Sequence, residues 1–92
     1  FKEDGTVTGG NASSINDGAS TVILMDADYA KQEGFEILAY VGEHAEIGCD
    51  PEFMGYAPYH AVTQLLNKAD RDIDEVDIVE MTEAFAAQSI PV

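Results

Sequence analysis

The stretch NDGASTVILM, residues 16–25, is the starting point for predicting the fold, because it joins a turn to an apolar run. Asn16-Asp17-Gly18 is a turn signal, since Asn and Asp side chains bond to nearby backbone and Gly adopts backbone angles that other residues avoid. The run that follows, residues 20–25, has the length of a strand. A short apolar run bounded by a turn is typical of a strand buried on both faces. The sequence therefore predicts a buried strand over residues 20–25.

Two helices are predicted on the C-terminal side of this strand. Asp26 is placed to cap a short helix that Gly34 ends. A longer helix is expected from Pro58, a residue favoured at the first helical position, to about residue 68. Its apolar side chains recur at helical spacing and predict one buried face. These side chains are Ala61, Val62, Leu65, Leu66 and Ala69.

Two further strands are predicted, over residues 36–46 and 76–81, and a helix is expected within residues 83–89. The Gly and Pro residues at 48–58 indicate a loop, and residues 70–77 an acidic connection. Strands that alternate with helices are typical of parallel sheets covered by helices. The predicted fold class is therefore α/β.

Charge and composition exclude several classes of partner. The chain has 92 residues, of which 18 are acidic and 4 basic, and its formal net charge is −14. Such a surface repels nucleic-acid phosphates and anionic lipid, so neither nucleic acid nor a membrane is expected as a partner. The lack of a signal-peptide pattern and the single cysteine, Cys49, favour a reducing cytoplasm. The first residue, Phe1, is not Met, which favours a fragment of a longer protein.

No metal site is predicted. The acidic residues at 70–74 resemble the first half of an EF-hand loop, but Glu75 and Met81 stand where that loop needs Gly and Glu. Neither His44 nor His60 has a second His or Cys at the spacing of metal ligands. His60 follows Pro58 and Tyr59 at the start of the predicted helix and is expected to have a surface or packing role.

Three segments of the chain resemble thiolase sequences, in the order and at the spacing of that family. The first is GTVTGGNASSINDGA at 5–19, which resembles the Gly- and Asn-rich segment at the end of the family's N-terminal half. The second is GCDPEFMG at 48–55, similar to the segment that crosses into the C-terminal half. The third is EMTEAFAAQ at 80–88, which resembles the family's Asn-Glu-Ala-Phe-Ala motif. The resemblance implies a thiolase-like fragment, in which residues 1–46 end the N-terminal half and residues 47–92 begin the C-terminal half.

The thiolase resemblance implies acyl transfer between CoA thioesters, in which two acetyl-CoA molecules give acetoacetyl-CoA and CoA, or the reverse thiolysis. In this family one cysteine carries the acyl group, a second acts as acid and base, and oriented donors stabilise charge on the thioester oxygen. The family's nucleophile lies upstream of this chain, and its histidine and second cysteine lie downstream. Cys49 corresponds to none of them and is expected to be inert, so the isolated segment is expected to be inactive.

The resemblance also implies what the full-length protein binds. Acetyl-CoA and acetoacetyl-CoA are its expected partners, and because the CoA thioester is the substrate, no cofactor is expected. A homodimer or homotetramer is expected for the full-length protein.

The positions that carry over from the family bind the substrate or hold a water. Ser13 matches the serine whose hydroxyl meets the pantetheine arm, and Gly9 falls where a small residue lets the backbone approach that arm. Thr82 stands where the family usually has Asn, whose amide holds a water of an oxyanion hole. A threonine hydroxyl can also bond to water. The positions that match the wall of the pantetheine and acyl tunnel are Phe1, Met54, Ala84 and Phe85.

Two alternatives to an enzyme remain open. The first is an inactive thiolase-like module that binds CoA or acts as a scaffold, which Thr82 in place of Asn and the missing nucleophile would favour. The second is a stand-alone acidic interaction domain unrelated to CoA. Strands at the seam between the two halves would have exposed edges, so the isolated chain is predicted to self-associate.

Overall fold

Helices are the main regular structure of the chain. A computed structural model describes residues 3–92, so Phe1 lies outside the described residues. The helices, in chain order, are α1 (Ala27–Glu33), a 3₁₀ helix (Pro51–Tyr56), α2 (Ala57–Ala69), a 3₁₀ turn (Ile73–Glu75) and α3 (Ala86–Ser89). Over residues 3–92, none of these helices has the length and apolar character needed to cross a lipid bilayer.

Helix α1 forms where the sequence predicts it, because both of its ends are capped. A carboxylate oxygen of Asp26 accepts hydrogen bonds from the backbone N–H groups of Asp28 and Tyr29, each at 3.0 Å. These two N–H groups have no partner inside the helix, so the cap satisfies them. At the other end Gly34 has a φ of 74°, in the left-handed region that favours glycine. The N–H of Phe35, the next residue, donates to the carbonyl of Ala30 at 2.9 Å.

Helix α2 is also confirmed, although it begins at Ala57 rather than at Pro58. Proline fits either of the first two positions, because the N–H groups there have no partner within the helix. The residues expected to form a loop before it are instead largely a 3₁₀ helix. Asp50 caps that helix by accepting from the N–H of Glu52 at 3.0 Å. Helix α3 covers the second half of the span predicted for a third helix.

The strand predictions for residues 20–25, 36–46 and 76–81 are wrong for this structure. Among residues 3–92, β-pairing consists of one isolated antiparallel bridge, between Ala12 and Phe85. A helix satisfies its own backbone groups, whereas a strand needs a second strand beside it. The predicted strands have no such neighbour in the described chain, so the α/β class is not confirmed.

The described chain is spread out and does not surround a core. Its radius of gyration is 17.7 Å, whereas a compact domain of this length has about 12 Å. Ala30, at 3% exposed, is the one buried apolar residue among residues 3–92. The predicted apolar face of α2 is only partly covered, and no residue of that helix is buried. Helix α1 and the two 3₁₀ segments have side-chain caps at their N-termini, whereas α2 and α3 do not. The helices are therefore held mainly by local contacts.

Candidate functional site

Two segments that are far apart in the sequence meet through two backbone hydrogen bonds. The N–H of Ser13 donates to the carbonyl of Ala84 at 2.8 Å, and the N–H of Ala86 donates to the carbonyl of Asn11 at 3.0 Å. These bonds flank the antiparallel bridge described above. The pairing joins the Gly- and Asn-rich segment to the segment that contains Thr82. Most of the residues predicted to form a site come from these two segments.

The loop that precedes the bridge is folded around the side chain of Asn11. Its Oδ1 accepts from the N–H of Thr8 at 2.7 Å, and its Nδ2 donates to the carbonyl of Thr6 at 2.9 Å. The Thr8 hydroxyl accepts in turn from the N–H of Gly10 at 3.3 Å. Short polar side chains often bond to nearby backbone in this way and stabilise turns. One side chain therefore holds the turn that leads into Ser13.

Asn11 is a residue that the sequence pattern did not single out. The available signal is the spacing of Thr8 and Asn11, three residues apart in a Gly-rich stretch, which is typical of turns closed by a side chain. The backbone bond between Asn11 and Ala86 has no comparable signal, because it joins distant parts of the chain.

The two hydroxyl residues of the predicted site are both exposed. The Ser13 Oγ lies 3.5 Å from the carbonyl of Ser14, at the outer limit of a hydrogen bond. The carbonyl of Thr82 accepts from the N–H of Ala84 at 3.0 Å, so a tight turn precedes the bridge. The structure thus places Ser13 against the end of a turn that contains Thr82, with the Ser13 hydroxyl only weakly engaged.

Gly9 lies in the turn held by Asn11 and is exposed. A Cβ atom placed on Gly9 would have no atom of the described chain within 4 Å, and its φ is not in the left-handed region. Neither packing within the described chain nor backbone geometry therefore requires glycine at this position.

The apolar residues of the predicted site are only partly brought together. Ala84 and Phe85 are half-buried at the bridge. Met54 is 64% exposed. Its neighbour Gly55 lies close to α3, since a Cβ placed on Gly55 would be 3.8 Å from Cγ of Gln88. The 3₁₀ helix that carries Met54 therefore approaches the same helix that follows the bridge.

A second concave region is an open groove of about 530 Å³, formed by residues 47–49 and one face of α2. Cys49 and His60 both line this groove, although they are separated in the sequence. The Cys49 thiol is exposed, and its Sγ lies 3.9 Å from the carbonyl oxygen of Phe53. The His60 ring makes edge contacts with Tyr56 and Tyr59, at centroid distances of 5.2 and 5.4 Å. His60 therefore packs in an aromatic cluster, as its position at the start of the helix led us to expect.

The charged side chains form ion pairs among residues other than Ser13, Thr82 and their immediate neighbours in the sequence. Nζ of Lys68 lies 2.6 Å from Oε2 of Glu43 and holds the pKa of that carboxyl below its ordinary value. Glu75 accepts from the N–H of Asp72 at 2.8 Å and from Arg71 at 2.9 Å, and these bonds lower the pKa of Glu75.

Each lysine and arginine side chain within residues 3–92 is therefore paired with a carboxylate, since Lys31 also lies 3.4 Å from Asp28. In the same residues, no three His, Cys, Asp or Glu side chains converge closely enough to hold a metal ion.

Comparison with known proteins gives a family match over most of the sequence. Residues 35–92 match the family model described as thiolase, C-terminal domain, and residues 1–28 match thiolase, N-terminal domain. The proposed division at residue 46 stays a prediction.

Over all 92 residues the chain is 50% identical to an acetyl-CoA acetyltransferase of Chromobacterium violaceum and 48% identical to one of Pseudomonas aeruginosa. These matches cover 100% of this chain but 24% and 23% of the two relatives. The chain thus spans about a quarter of the length of the curated relatives it matches.

Proposed function

The chain belongs to the thiolase family, and from that premise we propose that the full-length protein condenses two acetyl-CoA molecules to acetoacetyl-CoA and CoA, or catalyses the reverse thiolysis. Relatives with about half of their aligned residues identical are named acetyl-CoA acetyltransferases. The observation that carries the proposal is the pairing of residues 11–13 with residues 84–86. It brings the predicted pantetheine contact, Ser13, close to the segment of the predicted water-holding residue, Thr82.

The proposed role of this segment is to form one wall of the thioester site. Ser13 would meet the pantetheine arm, and its exposed, weakly engaged hydroxyl supports that role. At Gly9, nothing in the described chain fills the space that a side chain would occupy, which supports a close approach by the substrate. Met54, Ala84 and Phe85 are proposed to contribute apolar surface to the same wall.

Thr82 is proposed to hold a water that donates a hydrogen bond to the thioester oxygen. In the proposed reaction a cysteine thiolate attacks the carbonyl carbon of acetyl-CoA, and negative charge develops on the carbonyl oxygen before CoA leaves as the thiolate. A base then removes a proton from the methyl group of the second acetyl-CoA, and the resulting enolate attacks the carbonyl carbon of the acyl-enzyme. Charge again develops on that carbonyl oxygen before the bond to the cysteine sulfur breaks, which releases acetoacetyl-CoA and leaves the cysteine as the thiolate. A fixed donor stabilises such charge more in the transition state than in the ground state. The cysteines and the histidine of this reaction would come from other parts of the protein.

The phosphates of CoA must also be bound by other parts of the protein under this proposal. The formal net charge of the chain is −14, and every lysine and arginine among residues 3–92 already has a carboxylate partner. An acidic surface repels a polyanion, so compensating basic groups are required near the phosphates. This segment is suited to the uncharged pantetheine arm and not to the nucleotide.

The test uses the full-length protein with acetyl-CoA as substrate. Thr82→Val should lower kcat by about 10²–10³, as the loss of other oxyanion donors does. Ser13→Ala should raise KM by about 2–10-fold, corresponding to one net hydrogen bond. Thr63→Val is the matched control, because the Thr63 hydroxyl bonds back to the carbonyl of Tyr59 within α2, at 2.8 Å, and should leave both constants unchanged.

The outcomes separate the candidate functions. A Thr82→Val protein with wild-type kcat would show that Thr82 does not hold the proposed water. A wild-type protein that binds CoA but transfers no acyl group would be an inactive thiolase-like module. A protein that neither binds CoA nor transfers acyl groups would contradict the proposed function.

A further inference from the structure

Every polar group of Asn11 makes a hydrogen bond to another residue of the described chain. Its side-chain oxygen and nitrogen bond to Thr8 and Thr6, at 2.7 and 2.9 Å. Its backbone N–H donates to the carbonyl of Thr8 at 3.2 Å, and its carbonyl accepts from the N–H of Ala86 at 3.0 Å. The same residue therefore closes the turn at 6–11 and begins the bridge to the distant segment.

The turn has little other support. It contains Gly9 and Gly10, which have the largest conformational freedom of any residue in an unconstrained chain. All of residues 8–11 are exposed, and no atom of the described chain would lie within 4 Å of a Cβ on Gly9. Ordering the backbone of each such residue costs about 1–2 kcal/mol. Hydrogen bonds from the Asn11 side chain offset part of this cost. Apolar packing contributes little here, because residues 8–11 are exposed.

Ser13 lies two residues beyond Asn11, on the far side of the bridging residue Ala12. The N–H of Ser13 donates to the carbonyl of Ala84 at 2.8 Å, and the N–H of Ala86 donates to the carbonyl of Asn11. Together these two bonds fix the register of the two segments, with Ala12 opposite Phe85. A turn that loses its side-chain bonds allows this register to shift or open. The Ser13 hydroxyl would then move relative to the segment that contains Thr82.

We propose that Asn11 is a positioning residue for the CoA thioester: it fixes the turn at 6–11 and so holds Ser13 in the register in which its hydroxyl meets the pantetheine arm. This inference rests on the proposed function. Asn11 acts through Ser13 and does not itself contact the reacting atoms. Its removal should therefore affect substrate binding more than turnover.

The experiment measures KM and kcat of the full-length protein for acetyl-CoA in three variants. Asn11→Ala removes both side-chain bonds and should raise KM by about 2–10-fold, the loss expected if Ser13 no longer contacts the substrate, with kcat changed by less than about 2-fold. Asn11→Asp keeps an oxygen that accepts from Thr8 but loses the donor to Thr6, so its KM should be intermediate. It also remains informative if Asn11→Ala folds poorly.

Asn16→Ala is the matched control. Asn16 is an exposed asparagine near the same turn, and its Nδ2 donates only to Ser14, at 3.2 Å to the carbonyl and 2.7 Å to Oγ. It makes no bond to the turn at 6–11 or to the bridge, so its removal should leave KM within about 2-fold of wild type, the scatter expected when no net hydrogen bond to substrate is lost. Melting curves of all variants report any general loss of stability.

A double-mutant cycle with Ser13→Ala tests whether Asn11 acts through Ser13. Effects transmitted through a shared contact are not additive, so the double variant should have a KM within about 2-fold of the larger single effect. Additive effects on KM, or a lowered melting temperature with unchanged KM, would overturn the positioning role. A raised KM in Ser13→Ala with a wild-type KM in both Asn11 variants would overturn it while leaving the proposed function intact. An unchanged KM in Ser13→Ala would overturn both the pantetheine contact proposed for Ser13 and the positioning role of Asn11, while acyl transfer itself still tests the proposed function.

Discussion

Residues 20–25 and helix α1 are neighbours in the chain, yet only the helix forms as predicted. The helix has Asp26 at one end and Gly34 at the other, and its hydrogen bonds close within a few residues. The apolar run has no pairing partner among the described residues, and Val22, Ile23 and Leu24 are 76%, 81% and 73% exposed. A helix can be specified by a short local sequence, whereas a strand depends on a surface supplied from elsewhere. The difference indicates that residues 20–25 form a strand only when another segment or another copy of the chain pairs with them.

The largest effect is expected from the apolar run. The isolated 92-residue chain should self-associate through it, because exposed apolar side chains and unpaired backbone groups favour pairing between copies. Ile23→Lys should weaken this association about 10–100-fold, since burying one such side chain contributes about 1.5–3 kcal/mol. Sedimentation velocity over a range of concentrations measures the change.

Ile15→Lys provides the control for this variant. It changes the charge equally, and the Ile15 side chain is 102% exposed but lies outside the predicted strand. It should associate nearly as strongly as the unmodified chain. A chain that stays monomeric at all concentrations, or equal effects of the two substitutions, would contradict the role given to residues 20–25.

A smaller effect is expected from the helix cap. Asp26→Ala should destabilise the first turn of α1 by about 0.5–2 kcal/mol, because the N–H groups of Asp28 and Tyr29 lose their acceptor. Hydrogen exchange of these two amides in the full-length protein should accelerate about 2–30-fold. Asp28→Ala is the comparison, since it removes only an exposed contact with Lys31, and its effect should be smaller. Equal acceleration by both variants would argue against the cap.

The smallest effect concerns pH and separates a local contact from a distant one. The N–H of Asp72 and the guanidinium of Arg71 lower the pKa of Glu75, so these bonds stabilise the 3₁₀ turn above the ordinary glutamate pKa. That contribution is lost as the pH falls through the lowered pKa of the folded turn. A peptide of residues 69–78 should retain the lowered pKa of Glu75 in an NMR titration.

The matched case is Glu43, whose pKa is lowered by Lys68. Because Lys68 is distant in the sequence and only the smaller effect of His44 remains in a peptide of residues 40–47, the pKa of Glu43 should return most of the way to its ordinary value there. If the pKa values of Glu75 and Glu43 were both lowered, or both ordinary, in their peptides, the contrast between a local and a distant contact would be wrong.

The accuracy of the sequence predictions follows the range of the interactions involved. The caps at Asp26 and Gly34 identified α1, and the proline rule placed the start of α2 within one residue. The sequence pattern for residues 76–81 predicted a strand, and this failed because strand formation depends on a partner. At the site, the thiolase resemblance singled out Ser13 and Phe85, which the structure brings to the same bridge. It included Asn11 in a matched segment but gave that residue no role, because the contact of Asn11 with the distant segment is not a sequence-local feature.

The sequence by itself determined the capped helix α1, the apolar spacing of α2 and membership of the thiolase family, because each depends on residues close together or on motifs in order. Only the tertiary structure decided that Ser13 meets Ala84 and that Asn11 meets Ala86. Closing so long a loop is entropically unfavourable, and it is stabilised by contacts that no single segment contains. The bridge, and the site proposed around it, therefore form only when the folded chain brings the two segments together, and neither segment specifies them alone.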